Sequence, residues 1–369
     1  MGRNDVQEKA LDLAIKNKRC GLGISMGVGK TRIGIQHLLA NYNPFIKALV
    51  VVPKLSVTDA WKDELNKMDL TDKLSDHITF STYLSINKQN PNEYDIVYLD
   101  ECHSLLDNHE SFLSAYTGKI LGLTGTPPKR RGTEKFRMVQ KYCPMVYNFT
   151  VDQATDSNIL NDYKIIVHKL NLSGLPTLAK VNKTTGGKWF TSEKKDYEYF
   201  TSRVVEAQTA KQKQFASIMR MKAMMEYPTK EQYAKGIIKN IGEKCIIFAN
   251  TQKQADRMCK HSYHSKNNES EENLELFRDG RIDKLSCVLQ LSEGVTIPGL
   301  KQGIIMHAYG NERKTAQRIG RLLRLNPNET AICHILCYEN TVDEKWVDSA
   351  LSSFDSTKIS RYNPLRSQT

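Results

Sequence analysis

The sequence predicts an α/β protein with two parallel sheets, one in each half of the chain. Segments with apolar residues at helical spacing alternate with short β-branched runs, and this alternation occurs twice, once before residue 150 and once after residue 241. The length of 369 residues is sufficient for two domains of ordinary size, each with its own core. We therefore expect two lobes, each with helices on both faces of its sheet.

The first half contains the clearer pattern. Residues 6–15 carry apolar side chains at helical spacing, and residues 48–52 (ALVVV) form the β-branched run that is typical of a buried parallel strand. Further helices are predicted at 31–39 and 58–65, and further strands at 78–81, 94–99 and 120–123. Strands that alternate with helices indicate a parallel sheet rather than a hairpin-connected one.

The same alternation returns towards the C terminus. Strands are predicted at 163–170, 244–248, 284–289, 303–306 and 331–336, helices at 253–260 and 317–323, an exposed loop at 178–195, and one long basic helix at 200–226. We interpret 1–150 as the first lobe, 151–240 as a connecting and helical segment that belongs mostly to the second lobe, and 241–350 as the second lobe. Residues 351–369 are polar and are predicted to be a weakly ordered tail.

The amino-acid composition limits the kinds of binding partner that we expect. There are 53 Lys and Arg against 41 Asp and Glu, so the net charge is +12, with a pI near 9.1. Such an excess favours a polyanionic partner, because neutralised phosphates release counterions, although a Lys-rich solvated surface fits the charge equally well. The eight cysteines include no CxxC pair and fit core packing in a reducing compartment. Without a signal peptide or a long apolar run, we expect a soluble, cytoplasmic protein.

A candidate phosphate loop lies at residues 27–31 (GVGKT), before the predicted helix. Gly27 and Gly29 permit a tight turn in which amide N–H groups point at phosphate oxygens. Lys30 can reach the β- and γ-phosphates, and Thr31 can offer its hydroxyl to Mg²⁺. Ile24 stands where the strict GxxxxGK[ST] pattern has glycine, so a Gly-rich turn before an ordinary helix is the alternative.

An acidic pair, Asp100 and Glu101, follows the predicted strand 94–99. In open α/β sheets this strand end is where ligands bind. Asp100 would hold Mg²⁺, Glu101 would orient and deprotonate an attacking water, and His103 would report the nucleotide state to neighbouring segments. An acidic pair is also typical of a helix start. The presence of Lys30 upstream favours the catalytic interpretation.

These segments, together with residues 317–324 (QRIGRLLR), resemble the superfamily-two helicases and translocases, in particular compact phage-type members of the Swi/Snf-like branch. The resembling segments are 24–31 (motif I), 51–54 with 61–65 (Ia), 80–83 (Ib), 100–103 (DECH, the DExH form of motif II), 124–127 (TGTP, III), 245–250 (IV), 292–298 (V), 317–324 (VI) and 341–344. Thr296 of motif V stands where the family usually carries Asp or Asn.

The resemblance implies two tandem RecA-like lobes with the ATP site in the cleft between them, and ATP and Mg²⁺ as cofactors. It implies catalytic roles for Lys30, Glu101, Gln317, Arg321 and Arg324, nucleotide binding by Gly27, Gly29, Lys30, Thr31, Gln7, His103 and Gly294, and metal binding by Thr31 and Asp100. Gln7 is either an adenine-reading glutamine or an exposed helix residue, because its spacing from Arg3 is off by one.

The hypothesis is an ATP-dependent DNA helicase or translocase that couples hydrolysis to movement along DNA, acts as a monomer and does not bind membranes. An RNA helicase, or a nucleotide-gated module that binds nucleic acid without productive turnover, is the alternative. For residues 188–190 (KWF), the rings either stack on a base or split a duplex, or they tuck into the lobe. If residues 317–324 are not the catalytic motif VI, they form a basic helix face that contacts solvent or phosphates.

Overall fold

The computed structural model describes residues 2–181, 184–288, 297–308, 315, 318–319, 322, 329–352 and 354–364, without the side chain of Ser56. The chain divides into two compact units, the first built mainly from residues up to Asp162 and the second mainly from Tyr163 onwards. Each unit contains one sheet of mainly parallel strands covered by helices. The predicted α/β class and the two lobes are therefore confirmed.

The first lobe contains a six-stranded sheet. Its strands are β1 (Arg19–Ile24), β2 (Ala48–Val52), β3 (Ile78–Thr82), β4 (Ile96–Asp100), β5 (Lys119–Thr124) and β6 (Met145–Phe149), in the order β3-β2-β4-β5-β1-β6, with every neighbouring pair parallel. Its helices are α1 (Arg3–Lys16), α2 (Lys30–Ala40), α3 (Thr58–Lys67), α4 (Thr71–Leu74), α5 (Glu110–Ala115), α6 (Glu134–Tyr142) and α7 (Val151–Asp156). The carboxyl ends of β1 and β4 face the same edge, because both strands run parallel to β5.

The second lobe contains a seven-stranded sheet. Its strands are β7 (Asp162–Leu170), β10 (Cys245–Ala249), β11 (Ser262–Tyr263), β12 (Lys284–Val288), β13 (Gln302–Ile305), β14 (Thr330–Tyr338) and β15 (Ile359–Tyr362), in the order β11-β12-β10-β13-β14-β7-β15. A separate antiparallel hairpin consists of β8 (Leu178–Val181) and β9 (Lys188–Thr191). The helices are α8 (Glu193–Val205), α9 (Ala210–Met225), α10 (Pro228–Asn240), α11 (Gln252–Met258), α12 (Ser270–Arg278) and α13 (Val342–Leu351).

The predictions failed in three places in the second lobe. The segment 178–195 is not a loop, because it forms the β8–β9 hairpin and the start of α8. The segment 200–226 is not one helix, since α8 ends at Val205 and a new helix starts after Thr209, whose hydroxyl accepts from the Gln212 backbone N–H at 3.2 Å. In the tail, β15 pairs with β7, so the expectation of weak order is wrong for these four residues.

Strand β1 gave no β-branched signal because it contains two glycines that the fold requires. A Cβ atom at Gly21 would lie 2.6 Å from the Cys143 carbonyl oxygen, and one at Gly23 would lie 2.6 Å from Asn148 Oδ1. Such distances are far inside van der Waals contact, so only glycine permits β6 to pair this closely.

All eight cysteines are free thiols and seven of them are buried, as expected for cysteines that serve core packing. Among the residues that the structure describes, no helix combines the length and apolar character that a membrane span requires.

Candidate active site

The phosphate loop connects the end of β1 to the start of α2. Gly27 and Gly29 have φ angles of +85° and +110°, in the left-handed region that favours glycine. A Cβ atom at Gly29 would also lie 2.5 Å from Gln7 Nε2. Glycine is therefore required at position 29 for two reasons, and the loop adopts the tight turn that the sequence predicted.

Helix α1 holds the phosphate loop from one side. Gln7 Nε2 donates to the Val28 carbonyl oxygen at 2.6 Å, and Arg3 Nε donates to the same oxygen at 3.1 Å. Gln7 is 4% exposed, so the alternative of an exposed helix residue is wrong. Its contact with the loop backbone fixes the loop geometry. Adenine reading by Gln7 stays a prediction.

The loop and the acidic pair meet within the first lobe. Lys30 Nζ lies 3.4 Å from Glu101 Oε1, and both side chains are largely buried. Gly125 adjoins this contact, because a Cβ atom there would lie 3.1 Å from Lys30 Nζ. Glu101 has a φ of +50°, a left-handed conformation that costs a non-glycine residue about 1–2 kcal/mol. Backbone strain of this kind is typical of functional sites.

Three hydrogen bonds fix Asp100 at the end of β4. Trp61 Nε1 donates to Asp100 Oδ2 at 2.9 Å, and the Glu101 backbone N–H donates to Oδ1 at 3.0 Å. The Tyr83 hydroxyl donates to the Asp100 carbonyl oxygen at 2.8 Å. The sequence placed Trp61 and Tyr83 in family motifs but assigned them no role. The available signal was weak: a buried indole N–H needs an acceptor.

The two adjacent carboxyl groups have opposite pKa shifts. Burial, with a contribution from the neighbouring Glu101 charge, raises the pKa of Asp100 to about 6. Burial also favours the neutral form of Glu101, but Lys30 and the hydrogen bonds from His103 and Thr124 outweigh it and hold its pKa below the usual range. Glu101 is therefore ionised throughout the range of ordinary buffers, whereas Asp100 titrates within that range.

The donor set around Asp100 fits Mg²⁺. A buried carboxyl with a raised pKa beside a second carboxylate gains stability from a divalent cation, because the cation compensates both negative charges. Thr31 lies in the first turn of α2, directly after Lys30. Among the described residues no cluster of three or more His, Cys, Asp or Glu side chains has metal-binding geometry. Mg²⁺ is usually bound through one or two protein ligands, with phosphates and water completing its shell, and Thr31 and Asp100 would supply those ligands.

Thr124, the last residue of β5, links the acidic pair to the segment 124–127. Its hydroxyl donates to Glu101 Oε2 at 3.2 Å and accepts from the Thr126 backbone N–H at 3.1 Å. His103 Nδ1 lies 2.8 Å from the same hydroxyl oxygen and 3.2 Å from Glu101 Oε2. Because the hydroxyl has one proton and gives it to Glu101, His103 Nδ1 carries a proton and donates to Thr124. The sequence had placed Thr124 in a family motif but had predicted no contact between it and Glu101.

The remaining predicted site residues, Gln317, Arg321, Arg324 and Gly294, lie outside the described residues. Arg318 of the same segment is described and is 5% exposed. Its Nη1 donates to the His307 carbonyl oxygen at 3.0 Å, and its guanidinium lies 5.5 Å from the centroid of the Phe248 ring. Arg318 therefore packs into the second lobe, and the alternative of an exposed basic helix face is wrong for this residue.

Two family models match the chain, one in each lobe. The family described as "Type III restriction enzyme, res subunit" matches residues 1–129, and "Helicase conserved C-terminal domain" matches residues 229–326. The first match contains the phosphate loop and the acidic pair, and the second contains β10 and the whole segment 317–324. Both matches support the resemblance of the chain to the superfamily-two helicases. Its placement in the Swi/Snf-like branch, or among phage-type members, stays a prediction.

Individual proteins agree with this assignment. The chain is 25% identical over 362 residues to the "DNA 3'-5' translocase XPB2" of Sulfurisphaera tokodaii, covering 90% of this chain and 81% of that protein. The DNA-bound "ATP-dependent Type ISP restriction-modification enzyme LlaBIII" matches with a TM-score of 0.63 and 16% identity, over 98% of this chain and 31% of that one. Dbp5 of S. cerevisiae, bound to RNA and ADP BeF3, matches with a TM-score of 0.59 and 15% identity, over 97% of this chain and 89% of that one.

The structural likenesses confirm the prediction of two tandem RecA-like lobes. They concern the fold, because their sequence identities are low. The chain spans less than a third of the length of LlaBIII.

Proposed function

We propose that this protein is a superfamily-two DNA helicase or translocase that couples ATP hydrolysis to movement along DNA. The proposal depends on the contact between Lys30 and Glu101 at the carboxyl edge of the first sheet, where Lys30 Nζ lies 3.4 Å from Glu101 Oε1. A phosphate-binding lysine and a base at this distance are the parts that hydrolysis of a phosphoanhydride needs. The choice of DNA is supported by the name of the XPB2 relative and by the net charge of +12.

In this proposal the first lobe holds the triphosphate. The loop amides at 27–31 and the N-terminal end of α2 bind phosphate oxygens, and Lys30 pairs with the β- and γ-phosphates. Thr31 and Asp100 would hold Mg²⁺, which supplies charge neutralisation at the phosphates when bound. Catalytic roles for Gln317, Arg321 and Arg324, and nucleotide binding by Gly294, stay predictions from the family resemblance.

Glu101 becomes a stronger base when ATP binds. In the nucleotide-free protein Lys30 is the largest of the influences that lower the pKa of Glu101. A triphosphate competes for Lys30, because its charge is larger than that of one carboxylate. As Lys30 turns to the phosphates the pKa of Glu101 rises, and the carboxylate is then available to accept a proton from the attacking water.

The segment 124–127 transmits this change. Thr124 contacts Glu101 through its hydroxyl and receives the Thr126 backbone N–H, so a movement of the carboxylate alters the hydrogen bonds of that segment. In the family that this chain resembles, the segment couples hydrolysis to contact with nucleic acid.

The test is steady-state ATP hydrolysis without nucleic acid and with single-stranded DNA, duplex DNA, forked DNA or RNA. Lys30→Ala serves as the blank. Glu101→Gln should lower hydrolysis by about 10²–10⁴-fold, the usual contribution of a general base, and should still bind ATP. Glu64→Gln is the matched control, since Glu64 forms a partly exposed ion pair with Arg32 at 3.2 Å, outside the catalytic contacts. It should hydrolyse ATP at the wild-type rate.

The outcomes separate the candidates. Strong stimulation by DNA supports the proposal, and the DNA that stimulates most identifies the track. Stimulation by RNA alone would establish an RNA helicase instead. Hydrolysis no higher than the Lys30→Ala blank with every nucleic acid would leave a nucleotide-gated binding module. Wild-type hydrolysis by Glu101→Gln would eliminate the role of Glu101.

A further inference from the structure

The β8–β9 hairpin is a two-stranded ribbon apart from the main sheet. In its register Lys180 lies opposite Trp189 and Ala179 lies opposite Phe190. An isolated pair of strands is only marginally stable in water. The hairpin therefore needs an anchor, and strand β8 provides one.

Strand β8 of the hairpin is attached to the second lobe by the side chains of Lys180 and Leu178. Lys180 Nζ forms an ion pair with Asp196 Oδ2 at 2.9 Å, and the Tyr227 hydroxyl donates to the same oxygen at 3.1 Å. Leu178 packs against the buried cluster that contains Met224 and Tyr227. These contacts hold the hairpin at a defined position without covering its outer strand.

The outer strand exposes its aromatic rings. Trp189 is 50% exposed and Phe190 is 67% exposed, so the alternative in which both rings tuck into the lobe is wrong. Because successive strand residues point to opposite faces, the ribbon presents one ring on each side. Two exposed rings on an anchored ribbon contribute little to the core, and exposed apolar groups of this kind mark a binding surface.

The charged residues around the two rings indicate which kind of molecule binds there. Lys188, Lys194 and Lys195 are exposed, whereas the neighbouring acidic residues Glu193 and Asp196 are buried. Glu193 accepts from the Ser173 and Thr229 backbone N–H groups, at 2.9 Å each, and Asp196 is paired as described. Protein interfaces are depleted in lysine, whereas single-strand binding surfaces combine basic groups with stacking rings.

We propose that Trp189 and Phe190 stack on unpaired bases of single-stranded DNA and that Lys188 contacts the adjacent phosphates. Bases in a duplex already stack on their neighbours, so only unpaired or terminal bases offer a free face to the rings. The identity of the nucleic acid as DNA rests on the proposed function. The stacking itself rests on the exposure, the register and the charge of the hairpin.

The test compares the affinity of the full chain for a dT20 oligonucleotide and for a 20-base-pair duplex by fluorescence anisotropy. Trp189→Ala and Phe190→Ala should each weaken dT20 binding about 5- to 100-fold, which corresponds to about 1–3 kcal/mol per stacked base. Duplex binding should change much less. Trp189→Phe, which keeps a ring, should retain most of the affinity. Phe45→Ala removes a ring that is 88% exposed in the first lobe and should leave both affinities unchanged.

A second measurement uses tryptophan emission. Trp61 is fully buried and Trp346 packs partly buried against the cluster of Met224 and Tyr227, so quenching of emission by dT20 should arise mainly from Trp189 and should fall sharply in Trp189→Phe. Wild-type dT20 affinity in the Trp189→Ala, Phe190→Ala double variant would overturn the stacking proposal. An equal loss of affinity for dT20 and for the duplex would overturn it too, because such a contact does not depend on unpaired bases. Failure of the proposed function would give a different result: the unmodified chain would hydrolyse ATP at a rate that DNA does not increase.

Discussion

Replacing Thr124 with valine tests the connection between the acidic pair and the segment 124–127. Valine keeps the volume and the β-branching that suit β5, and it removes only the hydroxyl. Thr124 is fully buried, and its hydroxyl oxygen lies 2.8 Å from His103 Nδ1, 3.2 Å from Glu101 Oε2 and 3.1 Å from the Thr126 backbone nitrogen. All three hydrogen bonds disappear together, and water cannot replace them without a rearrangement.

The cost follows from these contacts. A hydrogen bond to a charged acceptor such as Glu101 contributes about 1.5–3 kcal/mol, and a neutral one about 0.5–1.5 kcal/mol. The partly buried Thr126 backbone N–H also loses this acceptor, whereas His103 Nδ1 still lies 3.2 Å from Glu101 Oε2. We expect the free energy of unfolding of the first lobe to fall by on the order of 3 kcal/mol. The pKa of Glu101 should rise, since Thr124 is one of the groups that lower it.

The assay combines urea unfolding with ATP affinity and with hydrolysis in the presence and absence of DNA. Thr124→Val should bind ATP but lose most of the stimulation by DNA. Thr124→Ser is the matched control, because it keeps the hydroxyl and loses one methyl group, at a cost of about 0.8 kcal/mol. It should retain the stimulation. If Thr124→Val kept both wild-type stimulation and wild-type stability, the hydroxyl would not connect the two segments.

Two further perturbations have defined outcomes. Because Asp100 has a pKa of about 6 and must be ionised to hold Mg²⁺, kcat/KM for ATP should fall as the pH drops below about 6. Trp61→Phe removes a hydrogen bond that favours the ionised form, so it should move this acid limb to higher pH, and an unshifted profile would exclude Asp100 as its origin. In the second lobe, Lys230 and Asp343 form a fully buried ion pair. Lys230→Met should lower the free energy of unfolding by about 3–5 kcal/mol in urea titrations, because it leaves a buried unpaired carboxylate. The double variant with Asp343→Leu should recover much of that loss, and a double variant as unstable as Lys230→Met would assign the loss to packing instead.

The parts of the site that the sequence predicted are those whose chemistry requires contiguous residues. A phosphate loop needs glycines directly before the lysine, and the φ angles of Gly27 and Gly29 show why. The acidic pair follows four buried apolar residues of β4, 96–99, whose pattern is visible without any knowledge of the fold. Local backbone geometry and burial determine both features, so both are readable from the order of residues.

The parts that were missed depend on contacts between distant segments. The hydrogen bond from Trp61 to Asp100 and that from Tyr83 to the same residue join elements that sequence periodicity cannot bring together. Counting lysines has a related weakness. Lys230 follows the stretch predicted as one basic helix, but it is fully buried and paired with Asp343. The pair leaves the net charge of +12 unchanged, but Lys230 itself is not available to a polyanion.

Glu101 is the residue on which the catalytic proposal depends, because its two oxygens have different partners. Oε1 faces Lys30, and Oε2 faces Thr124 and His103. The left-handed backbone at Glu101 is the strained element at this position, and the contacts of its side chain offset that cost. A phosphate that draws Lys30 away acts on the first oxygen, and the response reaches Thr124 through the second. Nucleotide binding and the segment 124–127 are thus connected through one carboxylate, which is why the hydroxyl of Thr124 is the most informative atom to remove.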